Sequence, residues 1–458
     1  MRLATFLLLG LALRLPAVVF ARGYEFVDQQ FQYVDPAYGL ATGADWIRTW
    51  EWQAGLRSWA YPGLLSYILR ALPIADPDLQ MLAVRGVHAL LSLLPLAGLW
   101  LVVMRWRPLA NPQPVLWLAA ASWVSVYAGV QPSGPTFALG FAVAAILFAH
   151  GPAAWPLLGG CCLGIAFCAR VQDAFFGPVV VAGLCAQRNV RGALWFVAGC
   201  APPVLFQCLL DLWTWGSFLH SPLAYVRVNF FENASASFGT TPIWRYAAIL
   251  GVFLLPVAPE AWRCLRRGAA LLPLPFWCAV AYLLLHAIPQ RRQFRFIMPA
   301  LALLFLVLAA GLAHDPGGDR WSRWWRRLLV GAHLVMLVLA SCWYFHRGPI
   351  EAAKVLRSQP AYTGELCTVE TDFDGIGGAY WLGRQRLALE VVGNRAALAE
   401  HLRTRAGGWP LFVMVKDTPL LPAHAGAAFT LHELAHTDDW LARESRERWV
   451  YRVERKRP

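Results

Sequence analysis

Long apolar runs alternate with polar connections over most of the chain before residue 348. Many of these runs reach the ~20 residues that a helix needs to cross a bilayer. The pattern therefore predicts an α-helical polytopic membrane protein with about eleven spans, and residues 1–348 as its transmembrane domain. The predicted spans are 3–21, 82–104, 114–130, 136–150, 154–169, 174–187, 192–213, 243–260, 271–289, 296–313 and 328–345.

Residues 349–458 follow a different pattern. Short apolar runs alternate there with a helical pattern at Arg395–Arg405, which predicts a small α/β domain outside the membrane. The apolar runs are Arg386–Val391, Leu411–Val415, Phe429–Leu434 and Trp449–Val453. The third run contains His432-Glu433-Leu434-Ala435-His436, which matches a zinc-protease pattern that requires a helix. The surrounding residues favour a strand, so we do not expect a zinc site.

Two polar segments, 22–80 and 214–242, are far longer than a simple connection between spans requires. Segments of this length are usually functional or disordered, and their aromatic content argues against disorder. The first segment carries Asp28, Asp35, Asp45 and Glu51, together with many tryptophans and tyrosines. We therefore expect the function of the protein to depend on the segment 22–80.

The composition narrows the class of partner. The chain is 58% hydrophobic and 15% charged, with a net charge of +13. Arginine clusters lie between apolar runs, as expected of cytosolic connections, and no basic, aromatic-rich stripe predicts binding to nucleic acid. Placing those clusters in the cytosol assigns five regions to the non-cytosolic face: the two long polar segments, residues 170–173, residues 290–295 and residues 349–458.

Acidic residues of the first segment are candidates for catalysis. Asp28 and Asp35 lie seven residues apart, on one face if the segment is helical. With Glu51 they would line an acidic pocket in which a carboxylate acts as a general base. The alternative is that these acids cap helices or face solvent. Nearby aromatic side chains suit stacking on sugar rings as well as the bilayer interface: Trp46, Trp50, Trp52, Trp59 and Tyr61.

Basic residues on the same predicted face are candidates for binding an anion. Arg291, Arg292 and Arg295 depart from the positive-inside pattern, and arginine binds phosphate with two parallel hydrogen bonds. The alternative is contact of these side chains with lipid headgroups. Arg170 and Asp173 lie between two apolar runs, where ionisable residues are often functional; otherwise they form an ion pair that orients two helix ends.

Several stretches between residues 20 and 300 match, in order, the motifs of one known family. Val27–Gln32 with Asp35 resembles a first-loop motif His-Pro-Asp-Glu-x-Phe/Trp-Gln followed by a glutamate. Thr49–Trp52 and Leu56–Pro62 resemble its TWEW and LRSYxYP elements, and Leu210–Tyr246 its D-x-x-x-Y-G…P…N…YG-x-x-P-W-x-Y segment. Further matching stretches are Arg85 with His88–Ser92, Arg170–Asp173, and Arg295-Phe296 at the end of an HKExRF motif.

On these residues the chain resembles glycosyltransferase family 22 of the GT-C superfamily, the dolichyl-phosphate-mannose-dependent mannosyltransferases. The similarity is greatest to the branch that adds the third mannose of GPI anchors. The chain differs from the family pattern at Gln29, which replaces glutamate, at Val27, which replaces proline, and at Arg291–Gln293, which replace His-Lys-Glu. These differences indicate a divergent, bacterial member.

The resemblance implies an inverting transfer of mannose from a polyprenyl-phosphate donor to a lipid-linked glycan or glycolipid. It implies Asp28 as the general base and Asp35 as a residue that orients the base or the acceptor. Arg295, with Arg292 and Arg57, would hold the leaving phosphate. Further predicted substrate contacts are Gln29, Gln32, Trp50, Glu51, Trp52, Tyr61, Arg170 and Asp173. We expect no metal and no cofactor.

The predicted location is the bacterial inner membrane with the active site on its external face, or the endoplasmic reticulum membrane with a luminal site. Two other functions stay open at this point. A transporter or lipid flippase would place ionisable residues near the bilayer midplane and break helices there. A non-catalytic membrane scaffold is the other, because Gln29 replaces the glutamate of the motif.

Overall fold

The computed structural model describes residues 1–24, 26–254, 258–314, 320–406, 408–437 and 447–456. These residues form two compact units. The first unit comprises residues 1–20, 54–61 and 84–342, and the second comprises residues 21–53, 62–83 and 343–458. Helices Ala60–Ala71 and Pro77–Leu91 each contribute residues to both units.

Among the described residues, the regular elements of the first unit are all helices. Its α-helices are Leu3–Phe20, Leu94–Leu101, Gln113–Ala121, Trp123–Ala128, Gly134–Phe148, Trp155–Ala169, Phe176–Ala186, Val190–Trp215, His220–Val226, Trp244–Leu254, Ala258–Leu271, Pro273–Ala287, Phe294–His314 and Arg320–Cys342. Two π-helices, Val102–Trp106 and Arg227–Phe231, and two 3₁₀-helices, Val171–Phe175 and Ala234–Phe238, complete it.

Membrane-spanning helices are present, which confirms an integral membrane protein. Among the described residues, four helices are long and apolar enough to cross a bilayer: Leu3–Phe20, Pro77–Trp106, Val190–Trp215 and Phe294–Ala313. The pair Trp262–Leu271 and Pro273–Ala287, bent by 118°, is a fifth if it counts as one span. Most of the other predicted spans correspond to shorter helices, and the predicted span 328–345 lies in the long helix Arg320–Cys342, whose apolar part is Val330–Cys342. The number eleven therefore stays a prediction. Residues 255–257 of the predicted span 243–260 lie outside the described residues.

Small residues bring helices of the first unit close together. A Cβ atom on Gly160, in helix Trp155–Ala169, would collide with the backbone carbonyl of Phe196 in helix Val190–Trp215. In the reverse direction, a Cβ on Gly199 would collide with the carbonyl of Leu157. Close backbone approach at small residues is how helices associate where lipid removes the hydrophobic driving force.

The second unit contains a five-stranded sheet. Its strands are β1 (Glu365–Val369), β2 (Ala388–Val392), β3 (Leu411–Lys416), β4 (Phe429–Thr437) and β5 (Arg448–Arg455), in the order β2-β1-β3-β5-β4. β1 is parallel to β2 and β3, whereas β5 is antiparallel to β3 and β4. The helices of this unit are Val27–Gln29, Gln30–Val34 (a π-helix), Asp35–Thr42, Trp50–Gln53, Arg347–Ser358, Phe373–Gly375, Ala379–Leu382, Arg395–Ala397, Leu398–Thr404 and Pro422–Ala425.

The strands predicted between residues 386 and 453 are confirmed, each within a few residues of its predicted bounds. The stretch from His432 to His436 lies in β4, so the helix that the zinc-protease pattern needs does not form. His436 stacks on Trp449 of β5 with ring centroids 4.1 Å apart. Both histidines are therefore side chains of a paired strand rather than ligands on one helix face.

The first polar segment groups with the C-terminal residues, a division that differs from the predicted boundary at residue 348. Residues 21–53 and 62–83 belong to the second unit together with residues 343–458. His346 lies against Tyr24, with Nδ1 2.6 Å from the Tyr24 carbonyl oxygen and stacked rings. Lys354 forms an ion pair of 2.8 Å with Asp78. These contacts join residues far apart in sequence, which hydropathy alone does not signal.

Candidate active site

The stretch that carries Asp28 and Asp35 is helical from Val27 to Thr42, but its middle is a π-helix, Gln30–Val34. The backbone N–H of Asp35 donates to the carbonyl of Gln30, five residues earlier. Each π turn carries more residues than an α turn, so seven residues no longer correspond to two turns of one face. Asp28 is half-buried, whereas Asp35 is completely buried.

Asp35 holds the N-terminus of the short helix Ala379–Leu382. Its Oδ2 accepts a hydrogen bond of 2.9 Å from the Ala379 N–H, and its Oδ1 accepts one of 3.0 Å from the Tyr380 N–H. Oδ1 also accepts a bond of 2.7 Å from Gln30 Nε2. Burial raises the pKa of Asp35 to about 6, against the lowering effect of these bonds. The contacts of Asp35 thus match the helix-capping alternative.

Gln30 and Trp381 add a further hydrogen bond between the first-loop helix and helix Ala379–Leu382. The Trp381 indole Nε1 donates to Gln30 Oε1 at 3.2 Å, while the amide nitrogen of Gln30 binds Asp35. Phe31 packs edge-on against Phe373, with ring centroids 5.2 Å apart. The sequence pattern gave no signal for Gln30, whose role depends on residues about 350 positions away.

Gln32 and Glu51, both predicted substrate contacts, lie together in the second unit. Gln32 Nε2 donates to Glu51 Oε1 at 2.8 Å. The Gln32 side chain is buried, and its Oε1 has no hydrogen-bond partner among the described residues. The hydroxyl of Thr49 is likewise buried and without a partner in the described part of the chain. A buried polar atom in this state requires an explanation.

Tryptophans flank Glu51 in the sequence. Thr49 precedes the short helix Trp50–Gln53 and accepts backbone hydrogen bonds from Trp52 and Gln53. Trp52 is buried and meets Trp46 edge-on, with centroids 5.6 Å apart, whereas Trp50 is exposed. The predicted residue Gln29 is buried.

In the first unit, Arg170 and Asp173 form the predicted ion pair. Their closest nitrogen and oxygen atoms are 3.9 Å apart, and both side chains are buried. The Tyr282 hydroxyl donates to Asp173 Oδ1 at 2.8 Å, and Arg170 Nη2 donates to the Phe296 carbonyl at 3.2 Å. The pair therefore connects the start of the helix after Asp173 to two later helices. Tyr282 lies inside an apolar run, so periodicity could not single it out.

Arg292 and Arg295 make different contacts. Arg292 donates to the carbonyls of Ala287, Gln290 and Thr241, and its backbone N–H donates to the Thr241 hydroxyl. Arg292 therefore ties the connection before helix Phe294–His314 to the end of the second polar segment. Arg295 is half-buried; its Nε donates to Gln293 Oε1 at 2.7 Å, and its guanidinium lies 5.1 Å from the Phe296 ring centroid.

Residues 54–61 belong to the first unit, although they continue the first polar segment. The Tyr61 hydroxyl lies 3.1 Å from His88 Nε2, and Arg57 is half-buried. The Ser58 hydroxyl donates to Gln207, whose amide donates to Asp211 at 2.8 Å. The predicted site residues are thus divided between the units. The second unit contains Asp28, Gln29, Gln32, Asp35, Trp50, Glu51 and Trp52, and the first contains Arg57, Tyr61, Arg170, Asp173, Arg292 and Arg295.

The fold is similar to that of solved structures of one protein, ArnT. ArnT from Cupriavidus metallidurans bound to undecaprenyl phosphate superposes with a TM-score of 0.65 at 12% identity, covering 98% of this chain and 97% of that chain. The apo state of ArnT gives a TM-score of 0.63 with the same coverage. The fold class is therefore that of GT-C membrane proteins.

Sequence comparison gives the family. The model of the Alg9-like mannosyltransferase family matches residues 5–362. The chain belongs to this family, which confirms the resemblance seen in the motifs. GPI mannosyltransferase 3 of Drosophila melanogaster is 25% identical over 389 residues, which are 78% of this chain and 65% of that protein. Mannosyltransferase APTG1 of Arabidopsis thaliana is 22% identical over 324 residues, which are 64% of this chain and 56% of that protein. The matches thus span less than two thirds of these relatives.

Proposed function

We propose that this protein transfers a mannosyl residue from a polyprenyl-phosphate-mannose donor to a hydroxyl of a lipid-linked glycan or glycolipid. The observation that carries the proposal is the family match over residues 5–362, which includes the acidic first-loop motif around Asp28. The relatives are named mannosyltransferases, which supports mannose as the transferred sugar. ArnT, which shares the fold, was solved with a polyprenyl phosphate, and we assign the same class of carrier here.

We assign the general base to Asp28. A base that takes the proton of the attacking acceptor hydroxyl would give an inverting, single-displacement transfer. Asp28 is half-buried, as a group that must reach a substrate requires. Asp35, whose oxygens accept three hydrogen bonds within the second unit, orients the first-loop helix rather than contacting the acceptor.

We assign the leaving phosphate to Arg295, with Arg57 and Arg292 in supporting roles. As the bond to the sugar breaks, negative charge develops on the phosphate, and a fixed guanidinium stabilises that charge. The bonds of Arg292 to three backbone carbonyls favour a role in shaping its connection. Arg170 and Asp173, paired and buried, connect the helices that carry Tyr282 and Phe296. The reaction takes place on the non-cytosolic face, in a bacterial inner membrane.

The test uses purified full-length protein in lipid nanodiscs, polyprenyl-phosphate-mannose with labelled mannose, and a membrane lipid extract as acceptor. We expect labelled mannose in the acceptor lipid, with inverted anomeric configuration. Asp28→Asn should lower kcat by about 100-fold or more, since a positioned base contributes roughly 10²–10⁴. Asp45→Asn, which changes an exposed acid of the same segment, should keep the wild-type rate.

Two results would overturn the assignment. Equal turnover by wild type and Asp28→Asn would remove Asp28 from the mechanism. Movement of the labelled lipid across the bilayer of reconstituted vesicles, with no transfer of mannose by wild type, would favour a flippase instead.

A further inference from the structure

We propose that Gln32, Thr49 and Glu51 form a recognition site for a hydroxyl group of the acceptor sugar. The proposal rests on the proposed function, because that function supplies a sugar acceptor. It adds a specificity determinant: a particular acceptor hydroxyl, next to the one that attacks, is required for binding.

The orientation of the Gln32 amide follows from its partner. An ionised carboxylate only accepts hydrogen bonds, so the amide nitrogen faces Glu51 and donates to it at 2.8 Å. The amide oxygen consequently points elsewhere, and it finds no donor among the described residues although the side chain is only 2% exposed. An amide oxygen is purely an acceptor, so the missing partner must be a hydrogen-bond donor.

Thr49 supplies a second buried polar atom close in sequence to Glu51. Its hydroxyl has no partner in the described part of the chain, and the residue is 8% exposed. A threonine before a helix usually caps it through this hydroxyl, yet here only the Thr49 backbone carbonyl is used, by Trp52 and Gln53. A hydroxyl both donates and accepts, which complements the acceptor-only oxygen of Gln32.

A sugar hydroxyl fits this set better than a cation. Calcium and magnesium sites draw on several oxygen ligands, with carboxylates prominent among them, whereas only Glu51 of the three residues carries charge. In the described residues, no group of three or more His, Cys, Asp or Glu side chains is arranged to hold a metal ion. Trp50, which is exposed, lies in the same stretch, and its face suits an apolar sugar face.

The position of these residues near the proposed base indicates that they contact the acceptor rather than the donor. Gln32 is four residues after Asp28 in one continuous helical stretch. Residues at this spacing are neighbours on a helix surface, even where the turn is wider than α. A group beside the base therefore lies near the nucleophilic hydroxyl, which belongs to the acceptor.

The test measures binding apart from turnover. Full-length protein in nanodiscs is titrated calorimetrically with octyl α-D-mannopyranoside and with its 2-, 3-, 4- and 6-deoxy congeners. We expect one congener to bind about 10- to 100-fold more weakly than the parent, because its missing hydroxyl leaves the buried oxygen without a partner. Gln32→Met should bring that congener to within about 2-fold of the parent by removing the oxygen that discriminates.

Two further variants keep the result interpretable. Thr49→Val preserves the shape of the side chain and should weaken the same discrimination. This variant provides the test if Gln32→Met fails to fold. Gln80→Met is the matched control: the Gln80 amide nitrogen donates to the carbonyls of Leu69 and Leu72, and its oxygen accepts from Tyr380. This variant should keep the wild-type preference among the congeners.

Several results would overturn the proposal. They are a flat series in wild type, no binding of the parent mannoside, unchanged discrimination in both Gln32→Met and Thr49→Val, or binding that EDTA abolishes and magnesium restores. If discrimination depends on Gln32 while no mannose is transferred, the recognition site stands and the proposed function fails. If mannose is transferred but the series is flat, the function stands and the recognition site fails.

Discussion

Replacement of Asp35 by asparagine should remove a pH-dependent part of the stability of the second unit. Asp35 is completely buried, and burial raises its pKa from 3.8 to about 6 although Ala379, Tyr380 and Gln30 donate hydrogen bonds to it. At ~1.4 kcal/mol per pKa unit, this rise corresponds to about 3 kcal/mol. The folded state therefore holds the proton of Asp35 more tightly than the unfolded chain does.

The direction of the effect follows from this difference. Below the unfolded-state pKa of 3.8, Asp35 is protonated in both states. As the pH rises from 3.8 through about 6, the stabilisation that comes from tighter proton binding in the folded state is lost. Acidification from about pH 7.5 to pH 4 should thus raise the free energy of unfolding by roughly 2.4 kcal/mol through Asp35 alone. Asparagine has the same shape and does not titrate, so Asp35→Asn should lack this component.

The assay follows exposure of Cys367, which is fully buried in the sheet of the second unit. In a variant whose other cysteines are serine, protein is equilibrated in denaturant at each pH, then moved to pH 7 for a brief maleimide pulse. The difference between wild type and Asp35→Asn across the pH range isolates Asp35. Asp45→Asn, an exposed acid, is the control. A wild-type-minus-Asn difference that changes by less than about 1 kcal/mol over this range would refute the reasoning.

Two more predictions concern the first unit. Arg170→Met should destabilise the first unit by about 3–5 kcal/mol, because the buried Asp173 loses its charged partner. Arg227→Met, in an exposed ion pair, should cost at most about 1 kcal/mol. Equal losses of unfolding free energy in denaturant titrations would contradict this prediction. Gly160→Leu should prevent folding in detergent through collision with a backbone carbonyl, while Gly140→Leu, which points into open space, should give a monodisperse elution profile. A monodisperse profile for Gly160→Leu would show that these helices separate easily.

Part of the candidate site was readable from sequence because its signals are local. Asp28, Glu51 and the tryptophans stood out as polar and aromatic residues in a segment too long for a connector, and their order matched the family. Gln32, Glu51, Arg170 and Asp173 had all been singled out from the sequence. The structure adds that Gln32 contacts Glu51 and that Arg170 contacts Asp173. Gln30 and Tyr282 were missed, since each belongs to a common residue type whose importance comes from its partner. Thr49 was noted only as part of the TWEW match.

The chain by itself determined where helices and strands form and which family the protein belongs to. Apolar length and alternation depend on neighbouring residues, so several membrane helices and four of the five strands lie at the predicted places, whereas β1 was not predicted. The tertiary structure alone decided what Asp35 does. Its partners lie about 345 residues away, and the π-helix that turns it from the Asp28 face is not encoded in any hydrophobic period. Buried backbone N–H groups need acceptors, and only the folded chain shows which side chain meets that need.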